Sequence, residues 1–218
     1  MEKDLLSAVV LAGGKSTRMG TDKAFLPYNQ KSFIALIAEE LLKVTDDIVL
    51  TIGEKDKKVF ESVLGNDRKI KLVQDIQYLE NPLGGMISAF ESVQGKYAMV
   101  VACDSPLIRI DLVKYLYSEA LDHSAAIPVW NELEPFNCEP LCGVYNVRES
   151  KTGILRAIKL ESMGCKRMLS YLSDVRYIPV SDLRRFDPGL VSLLNVNTQR
   201  DYEEMVARCQ IPLLRLKQ

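Results

Sequence analysis

Histidine and tryptophan each occur once in this chain of 218 residues, and the charged side chains nearly balance, with a net charge of −1. A general nucleic-acid-binding surface would show as a basic excess, so the composition argues against a nucleic-acid partner. No apolar run approaches ~18 residues, the length of a membrane-spanning helix, and no signal-like apolar region follows a charged N-terminal stretch. We therefore expect a cytoplasmic protein with neither a nucleic-acid nor a membrane partner.

The chain also lacks the spacing patterns of a zinc site, because it has one histidine and no C-x-x-C pair. His123 follows Asp122 at the end of a predicted helix, and we expect it to be solvated and without a catalytic role. The odd number of cysteines predicts reduced thiols in strands or loops, with a metal or redox role as the alternative. These cysteines are Cys103, Cys138, Cys142, Cys165 and Cys209.

Short apolar runs alternate with segments of helical periodicity along the first half of the chain. Such alternation is typical of parallel βαβ units, with helices on both faces of one sheet. We therefore predict a single α/β domain over residues 1–218, a Rossmann-like three-layer sandwich with a mostly parallel sheet. The predicted strands cover 5–10, 48–52, 71–74 and 98–102, and the predicted helices cover 32–43, 56–64 and 83–93.

The second half of the chain is less regular. Residues 130–140 contain two prolines and several acidic residues, which predicts a mobile loop over the sheet. Within it, Trp130 is expected to anchor the loop, with stacking on a ligand as the alternative. The predicted helices of this half cover 111–121, 156–172 (with a break at Gly164) and 198–208, and the predicted strands cover 125–128 and 141–147.

The most informative stretch is LAGGKSTRMGTDK, which runs from Leu11 to Lys23 directly after the first predicted strand. Gly13 and Gly14 lack a Cβ, so backbone N–H groups can approach a ligand closely there. Fixed amide dipoles combined with cations such as Arg18 and Lys23 bind several phosphate charges at once. The stretch therefore predicts a polyphosphate site.

Two common phosphate-binding motifs do not fit this stretch. The substring GKST resembles the end of a P-loop, but Val9 stands where that motif needs its first glycine. The dinucleotide fingerprint G-x-G-x-x-G fails because Lys15 stands two residues after Gly13. The remaining alternative, a solvated glycine turn, would require the glycines, the cations and the preceding strand to coincide by chance.

A carboxylate follows another predicted strand. In V-V-A-C-D-S-P-L, Asp104 lies at the tip of the strand 98–102. Open α/β sheets bind ligands beyond the carboxyl ends of their strands. Mg²⁺ is satisfied by one or two carboxylates together with phosphate oxygens and water. We therefore predict that Asp104 binds Mg²⁺, with a turn or helix N-cap as the other interpretation.

Two asparagines precede the last predicted helix. Asn195 and Asn197 are separated by one apolar residue, so they point the same way on an extended segment. Their uncharged amide groups suit the orientation of a phosphate or of a metal-bound water. Thr198-x-x-Asp201 resembles a helix capping signal, and a plain capping turn is the alternative for this segment.

The stretch L-A-G-G-x-S-x-R-M-G-x-D-K resembles the signature loop of nucleotidyltransferases that transfer NMP to phosphorylated acceptors. Within that superfamily the chain most resembles the molybdenum cofactor guanylyltransferases, because further motifs follow in the family's order. These are Asp75 followed by N-P-L-G-G-M at 81–86, C-D-S-P around Asp104, E-P-L-C-G-V-Y at 139–145 and N-V-N-T at 195–198. The resemblance implies a fold of the nucleotide-diphospho-sugar transferase type.

The resemblance also implies an activity: transfer of GMP from GTP to the phosphate of molybdopterin, with Mg²⁺ as cofactor and pyrophosphate as the leaving product. In that reaction Arg18 and Lys23 neutralise charge on the α- and β-phosphates, and Asp104 holds the metal. Asn195 and Asn197 complete the implied catalytic set. The implied nucleotide-binding residues are Leu11, Ala12, Gly13, Gly14, Lys23, Asp75, Pro82, Leu83, Gly85 and Asp104. Transient contact with molybdoenzymes or with other cofactor-biosynthesis proteins is implied as well.

Three positions depart from the family pattern. Asn81 replaces the usual glycine, and we expect the turn to survive because asparagine tolerates left-handed backbone better than most residues. Glu139 replaces glutamine, which exchanges an amide for an acceptor-only carboxylate. Residues 52–55 contain no asparagine, although some family members carry one there near the guanine or ribose, so this segment does not secure a guanine preference.

Three other functions stay open. Two keep the chemistry and change a substrate: CTP with molybdopterin, or a nucleoside triphosphate with a sugar or alcohol phosphate. The third is a non-catalytic nucleotide-binding protein that delivers the cofactor to a molybdoenzyme. For Asp75, an ordinary turn aspartate is the alternative to a nucleotide-binding role.

Overall fold

Nine strands lie in the part of the chain that the computed structural model describes, which is residues 5–14, 21–75 and 81–210. They are β1 (Leu6–Leu11), β2 (Pro27–Tyr28), β3 (Lys31–Ser32), β4 (Ile48–Thr51), β5 (Ile70–Val73), β6 (Tyr97–Ala102), β7 (Ala125–Val129), β8 (Cys142–Asn146) and β9 (Val175–Pro179).

Eight α-helices lie within the same ranges, and none of them is both long and apolar enough to cross a bilayer. They are α1 (Phe33–Leu41), α2 (Lys57–Leu64), α3 (Pro82–Phe90), α4 (Ile110–Ala120), α5 (Val147–Lys159), α6 (Cys165–Leu169), α7 (Val180–Leu183) and α8 (Gln199–Gln210).

Seven of the strands form one sheet in the order β5-β4-β1-β6-β8-β7-β9, while β2 and β3 pair separately as an antiparallel hairpin. Strand β8 is antiparallel to both of its neighbours, and every other pairing in the sheet is parallel. The carboxyl ends of β1, β4, β5, β6 and β7 therefore meet at one edge of the sheet, together with the start of β8. This edge is the place where open α/β sheets bind ligands.

Both faces of the sheet are covered, which explains why its strands are nearly continuous apolar runs. In β1, Leu6, Ala8 and Val10 pack into one core cluster with residues of α1 and α4. Val9 points the other way, into a second cluster that includes residues of α3 and α5. The alternation follows the two-residue period of a strand. The predicted three-layer α/β architecture is confirmed.

The strands predicted at 5–10, 48–52, 71–74 and 98–102 correspond to β1, β4, β5 and β6, with ends that differ by at most one residue. The break predicted at Gly164 is confirmed, because Gly164 is the N-cap of α6, but the helix start predicted at residue 156 is wrong, because α5 begins at Val147. Asn146 caps α5 through its side chain, which accepts a hydrogen bond from the backbone N–H of Glu149 at 3.2 Å. The strand predicted over 141–147 includes Asn146 and Val147, so the start of α5 was not predicted there.

The loop predicted over residues 130–140 is confirmed, because no helix or strand lies between β7 and β8, and its mobility stays a prediction. Hydrogen bonds shape the segment into turns. The backbone N–H of Trp130 donates to the carbonyl of Asn137 at 2.8 Å, and that of Glu139 donates to the carbonyl of Pro128 at 2.9 Å. Strand β9 was not predicted, because Arg176 interrupts its apolar residues. Pairing with the buried strand β7 sustains this edge strand.

Candidate functional site

Asp104 lies just beyond the end of β6, at the ligand-binding edge of the sheet. The backbone there is fixed, because the N–H of Cys103 donates to the carbonyl of Leu11 at 3.0 Å and that of Ser105 donates to the carbonyl of Ala102 at 3.1 Å. The end of β6 is thereby held against the end of β1, from which the glycine stretch begins. The side chain of Asp104 is 22% exposed.

The ammonium group of Lys23 lies between two of the predicted catalytic side chains. Its Nζ donates to Oδ1 of Asn197 at 2.7 Å and lies 3.3 Å from Oδ2 of Asp104. Lys23 itself is 14% exposed and begins a short 3₁₀ helix that Asp22 caps. Three residues that are far apart in the sequence therefore form one charged cluster.

Burial raises the pKa of Asp104 above its usual value, because the carboxylate loses hydration that water would supply. The nearby Lys23 acts in the opposite direction through its charge and its hydrogen bond, but it does not cancel the burial. A desolvated carboxylate of this kind gains from a second cation, which a metal ion accompanying a triphosphate would provide.

The asparagine segment closes the cluster from the side of α8. The backbone N–H of Val196 donates to the carbonyl of Asp104 at 2.8 Å, and Oδ1 of Asn195 accepts a hydrogen bond from Ser105 Oγ at 2.7 Å. The side chain of Asn195 therefore contacts the Asp104 loop and that of Asn197 contacts Lys23, while Val196 is buried.

The capping signal before α8 is confirmed. Oδ2 of Asp201 accepts hydrogen bonds from the backbone N–H groups of Asn197 and Thr198, both at 2.8 Å, and Thr198 Oγ1 accepts one from the Asp201 N–H. The bond from the Asn197 N–H is the main reason that the pKa of Asp201 is lowered. Asn197 thus combines a fixed backbone with a side chain directed at Lys23.

Gly13 lies where no larger residue fits without movement. A Cβ at this position would lie 2.5 Å from Oδ2 of Asp75 and 3.0 Å from the backbone nitrogen of Gly53. A Cβ at Gly14, by contrast, would have no heavy atom within 4 Å. Leu11 ends β1 and the N–H of Ala12 donates to the carbonyl of Thr51, so Ala12, Gly13 and Gly14 extend from the sheet edge. Arg18 and Lys15 lie outside the described residues.

This difference between the two glycines gives a stability prediction. Gly13→Ala should lower the free energy of unfolding by about 1–3 kcal/mol, the usual cost of overpacking, whereas Gly14→Ala should change it by less than ~0.5 kcal/mol. Urea denaturation of both variants without nucleotide is the measurement. Equal effects for the two substitutions would contradict the packing of Gly13 against Asp75.

Asp75 connects the ends of three elements at the same edge. Its Oδ1 accepts a hydrogen bond from the N–H of Gly53 at 2.9 Å, which holds a turn in which Gly53 has a φ of +61°. Its Oδ2 lies against Gly13, and a Cβ at Gly85 would be 3.2 Å from that atom. The turn-stabilising interpretation of Asp75 therefore has a physical basis, and Oδ2 lies beside the glycine stretch.

The expectation of left-handed backbone at Asn81 is wrong. Asn81 has a φ of −149° and is the N-cap of α3, where its side-chain oxygen accepts a hydrogen bond from the N–H of Leu83 at 2.8 Å. Pro82 occupies the first helical turn, in which its missing N–H has no cost. Asparagine suits this position as a cap, and Leu83 and Gly85 are buried in α3.

Lys55 is a residue of this edge that the sequence analysis missed. Its Nζ donates to the carbonyl of Ala12 at 2.5 Å and lies 2.7 Å from Oδ2 of Asp22. It therefore links the two described ends of the stretch that contains residues 15–20. The sequence signal for Lys55 is its position as a lysine shortly after the buried strand β4.

Cys103 directly precedes Asp104 at this edge, whereas His123 lies at the opposite end of the sheet, just before β7. The four cysteines whose side chains the structure describes are free, and burial raises the pKa of Cys103 to about 12, so its thiol stays protonated at neutral pH. Within the described ranges no group of three His, Cys, Asp or Glu side chains could hold a metal on its own. His123 is partly exposed and pairs with Asp174, with 2.7 Å between Nδ1 and Oδ2.

Comparison with known proteins assigns the chain to a family. The model of the MobA-like NTP transferase domain matches residues 8–175. A probable molybdenum cofactor guanylyltransferase of Methanosarcina acetivorans is 32% identical over 92% of this chain and 89% of its own length. A protein of Methanosarcina mazei with the same description is 30% identical over 96% and 93%.

A solved structure agrees with these sequence comparisons. Molybdopterin-guanine dinucleotide biosynthesis protein A from Archaeoglobus fulgidus superposes with a TM-score of 0.76 at 25% identity, over 93% of this chain and 98% of that one. The glycine stretch after β1 and the aspartate after β6 both lie inside the matched range of the family model. The chain therefore belongs to the MobA-like NTP transferase family.

Proposed function

We propose that this protein transfers GMP from GTP to the phosphate of molybdopterin, forming molybdopterin guanine dinucleotide and releasing pyrophosphate, and that it does so in the cytoplasm as one domain. The observation that carries the proposal is the cluster of Lys23, Asp104 and Asn197 at the sheet edge from which the glycine stretch extends. A cation, a carboxylate and the backbone amides of the glycine stretch at one edge suit a nucleoside triphosphate. The identity of the base and of the acceptor is proposed from the relatives, which are named probable molybdenum cofactor guanylyltransferases.

The residues at this edge fit a magnesium ion that arrives with the nucleotide. Mg²⁺ commonly takes one or two protein carboxylates and completes its octahedral shell with water and substrate phosphates. Asp104 supplies one carboxylate, whose pKa is raised by burial although Lys23 lies beside it. When bound, the ion would neutralise charge on the phosphate oxygens as a Lewis acid.

The chain's own residues would position the reacting groups. The N–H of Ala12 already donates to the carbonyl of Thr51, so the predicted role of its amide is wrong and the amides of Gly13 and Gly14 would bind phosphate oxygens. Lys23, together with Arg18, would stabilise charge that develops on the α- and β-phosphates. Asn197 orients the ammonium of Lys23. No protein general base is needed, because the attacking phosphate of the acceptor is already an anion at neutral pH.

The binding of the base is assigned to the region around Asp75, Pro82, Leu83 and Gly85. The turn at Gly53 and the N-terminus of α3 lie on the two sides of Asp75, so this region can enclose a ring beside the glycine stretch. Its polar groups include the Asp75 carboxylate, which accepts hydrogen bonds but does not donate them. Guanine offers two adjacent N–H donors to such an acceptor, whereas cytosine offers one amino group.

Substrate tests separate this proposal from its closest alternatives. Pyrophosphate release should depend on both GTP and molybdopterin, and GTP should exceed CTP by at least ~10-fold in kcat/KM, as expected for one lost hydrogen bond to a charged group. Preference for CTP would establish a cytidylyltransferase. Turnover with a sugar or alcohol phosphate in place of molybdopterin would show that the acceptor is one of these phosphates.

The non-catalytic alternative, a protein that delivers the cofactor to molybdoenzymes, predicts nucleotide binding without turnover. Calorimetric titration with GTP and Mg²⁺, followed by analysis of the nucleotide after incubation with molybdopterin, distinguishes the two. Recovery of intact GTP from a complex with both substrates would favour delivery. A transient contact with molybdoenzymes is compatible with either outcome.

A further inference from the structure

The segment from Trp130 to Glu139, which we call the aromatic turn, lies at the same sheet edge as Asp104. It connects the end of β7 to the start of β8, and both of these points face the edge at which β6 ends. The N–H of Ala102 donates to the carbonyl of Leu141, which ties the start of β8 to the end of β6. Adjacent strands lie ~4.8 Å apart, so β7 ends about 10 Å from β6.

The aromatic turn exposes two aromatic rings. Trp130 is 45% exposed and Phe136 is 53% exposed, although residues of this type usually bury most of their surface. The backbone hydrogen bond from Trp130 to Asn137 fixes the turn between the two rings. Fixed and exposed aromatic faces beside a nucleotide site suit a flat heterocyclic ligand.

A carboxylate is held next to one of these rings. Nε1 of Trp130 donates to Oε1 of Glu139 at 2.7 Å, and the backbone N–H of Glu139 donates to the carbonyl of Pro128 at 2.9 Å. Both the side chain and the backbone of Glu139 are thereby oriented. Its position corresponds to the glutamine of the family's Q-P-L pattern, so this chain presents two acceptor oxygens where an amide would present one.

Cations of α6 lie beside the aromatic turn. The guanidinium of Arg167 lies 6.0 Å from the centre of the Phe136 ring, within the range of a cation–π contact. The charge of Lys166 is close enough to lower the pKa of Cys138, which is otherwise raised by burial. The turn therefore combines aromatic faces, one oriented carboxylate and positive charge.

We propose that the aromatic turn binds the pterin ring system of the acceptor, with Glu139 as the residue that determines which heterocycle is accepted. A pterin carries an amino group next to a ring N–H, and these two parallel donors match the two oxygens of a carboxylate. The rings of Trp130 and Phe136 supply stacking surface, and the guanidinium of Arg167 lies beside the Phe136 ring. This inference rests on the proposed function and assigns its acceptor subsite.

The geometry also accounts for the distance between the two halves of the reaction. The acceptor's phosphate must reach the α-phosphate near Lys23 and Asp104, while its ring lies farther along the sheet edge. Two strand spacings, about 10 Å, separate β6 from β7 and leave room for a ring system that carries a phosphate on a short side chain. The nucleotide occupies the other direction, toward β1 and β4.

The single tryptophan makes the inference directly testable by fluorescence. We expect 6-hydroxymethylpterin to quench the emission of Trp130 in a saturable titration. Lumazine, which carries an oxygen in place of the amino group, should bind at least ~10-fold more weakly, because it presents an acceptor to the carboxylate. Lumazine binding as strongly as the pterin, or unchanged emission with both compounds, would overturn the proposal.

Matched variants assign the effect to Glu139. Glu139→Gln keeps an acceptor for the Trp130 N–H and should weaken 6-hydroxymethylpterin binding by about 10-fold. Glu134→Gln makes the same change at an exposed position of the same turn and should bind like the unmodified protein. Equal affinities for the two variants would refute a role for Glu139.

Kinetics distinguish a failure of this inference from a failure of the proposed function. With molybdopterin and GTP, Glu139→Gln should raise the KM for molybdopterin and leave the KM for GTP unchanged. If GMP transfer occurs with both KM values unchanged in this variant, the acceptor subsite is wrong and the function holds. If no transfer to molybdopterin occurs even in the unmodified protein, the function is wrong.

Discussion

Replacing Asp104 by asparagine should lower kcat/KM for pyrophosphate release by about 10³-fold. Loss of one group that stabilises transition-state charge costs about 10²–10³-fold, and a metal ligand contributes several kcal/mol of such stabilisation. Asparagine keeps the size of the side chain but removes the charge that would hold Mg²⁺. The measurement is the rate of pyrophosphate release as a function of GTP concentration, at saturating molybdopterin and over a range of Mg²⁺ concentrations.

The matched control for this prediction is Asp111→Asn. Asp111 is exposed in the first turn of α4 and lies outside the charged cluster, so its replacement should leave the rate within a factor of two or so, as for most surface changes. Undiminished pyrophosphate release by Asp104→Asn would show that the metal is held elsewhere. A loss that excess Mg²⁺ largely restores would support a ligand role.

Thermal unfolding keeps this result separate from a folding defect. A carboxyl group whose pKa is raised in the folded state binds more protons folded than unfolded, so it lowers stability as pH rises through that range. Asp104→Asn removes this cost, and the variant without nucleotide should unfold at the same temperature as the unmodified protein or higher. Activity and stability are expected to change in opposite directions, as at many functional sites.

The parts of this fold that the sequence predicts best are those that local pattern determines. Strand β6 is apolar along its whole length and β1 is apolar except for Ser7, because helices cover both faces of the sheet. Gly13 and Asp104 come two residues after the ends of these strands. The periodicity of α1 likewise survives in its buried stripe. Such segments have a recognisable pattern whatever their tertiary neighbours are.

Long-range pairing explains what the sequence did not predict. Strand β9 contains the charged Arg176 and is stabilised by its partner β7, which lies about fifty positions earlier in the chain. Asn146 is both the last residue of β8 and the cap of α5, because its side chain accepts a hydrogen bond from the Glu149 N–H. In each case a contact that a one-dimensional pattern does not contain determines the element.

The candidate site shows the same division. The motifs pointed to Lys23, Asp104 and Asn197, and the rule that ligands bind beyond the carboxyl ends of strands predicted that they would lie at one edge, where the structure brings them together. The contacts of Lys55 with Ala12 and Asp22 could not be predicted, since they depend on where a long side chain ends. Long side chains have many rotamers, and only the packed structure selects one.

The second large effect is expected for Lys23→Ala, which should lower kcat by about 10²–10³-fold. Lys23 is the cation that lies closest to Asp104 in the described part of the chain. Its loss removes stabilisation of the phosphates and leaves Asp104 as a buried carboxylate with less compensation, so the pKa of Asp104 should rise further. Single-turnover measurements of GMP transfer at saturating Mg²⁺ would separate this effect from substrate affinity.

The control for Lys23→Ala is Lys31→Ala, which removes a lysine that pairs with Glu39 on the exposed surface. Such surface pairs contribute little, so the rate should be unchanged and the stability lowered by at most ~1 kcal/mol. The double variant Lys23→Ala with Asp104→Asn gives the sharper result. If the two side chains act on the same phosphates through one cluster, the double loss should be far smaller than the product of the single losses, as in other catalytic sets. Fully multiplicative losses would mean that Lys23 and Asp104 act independently, which would contradict a joint catalytic role for the cluster.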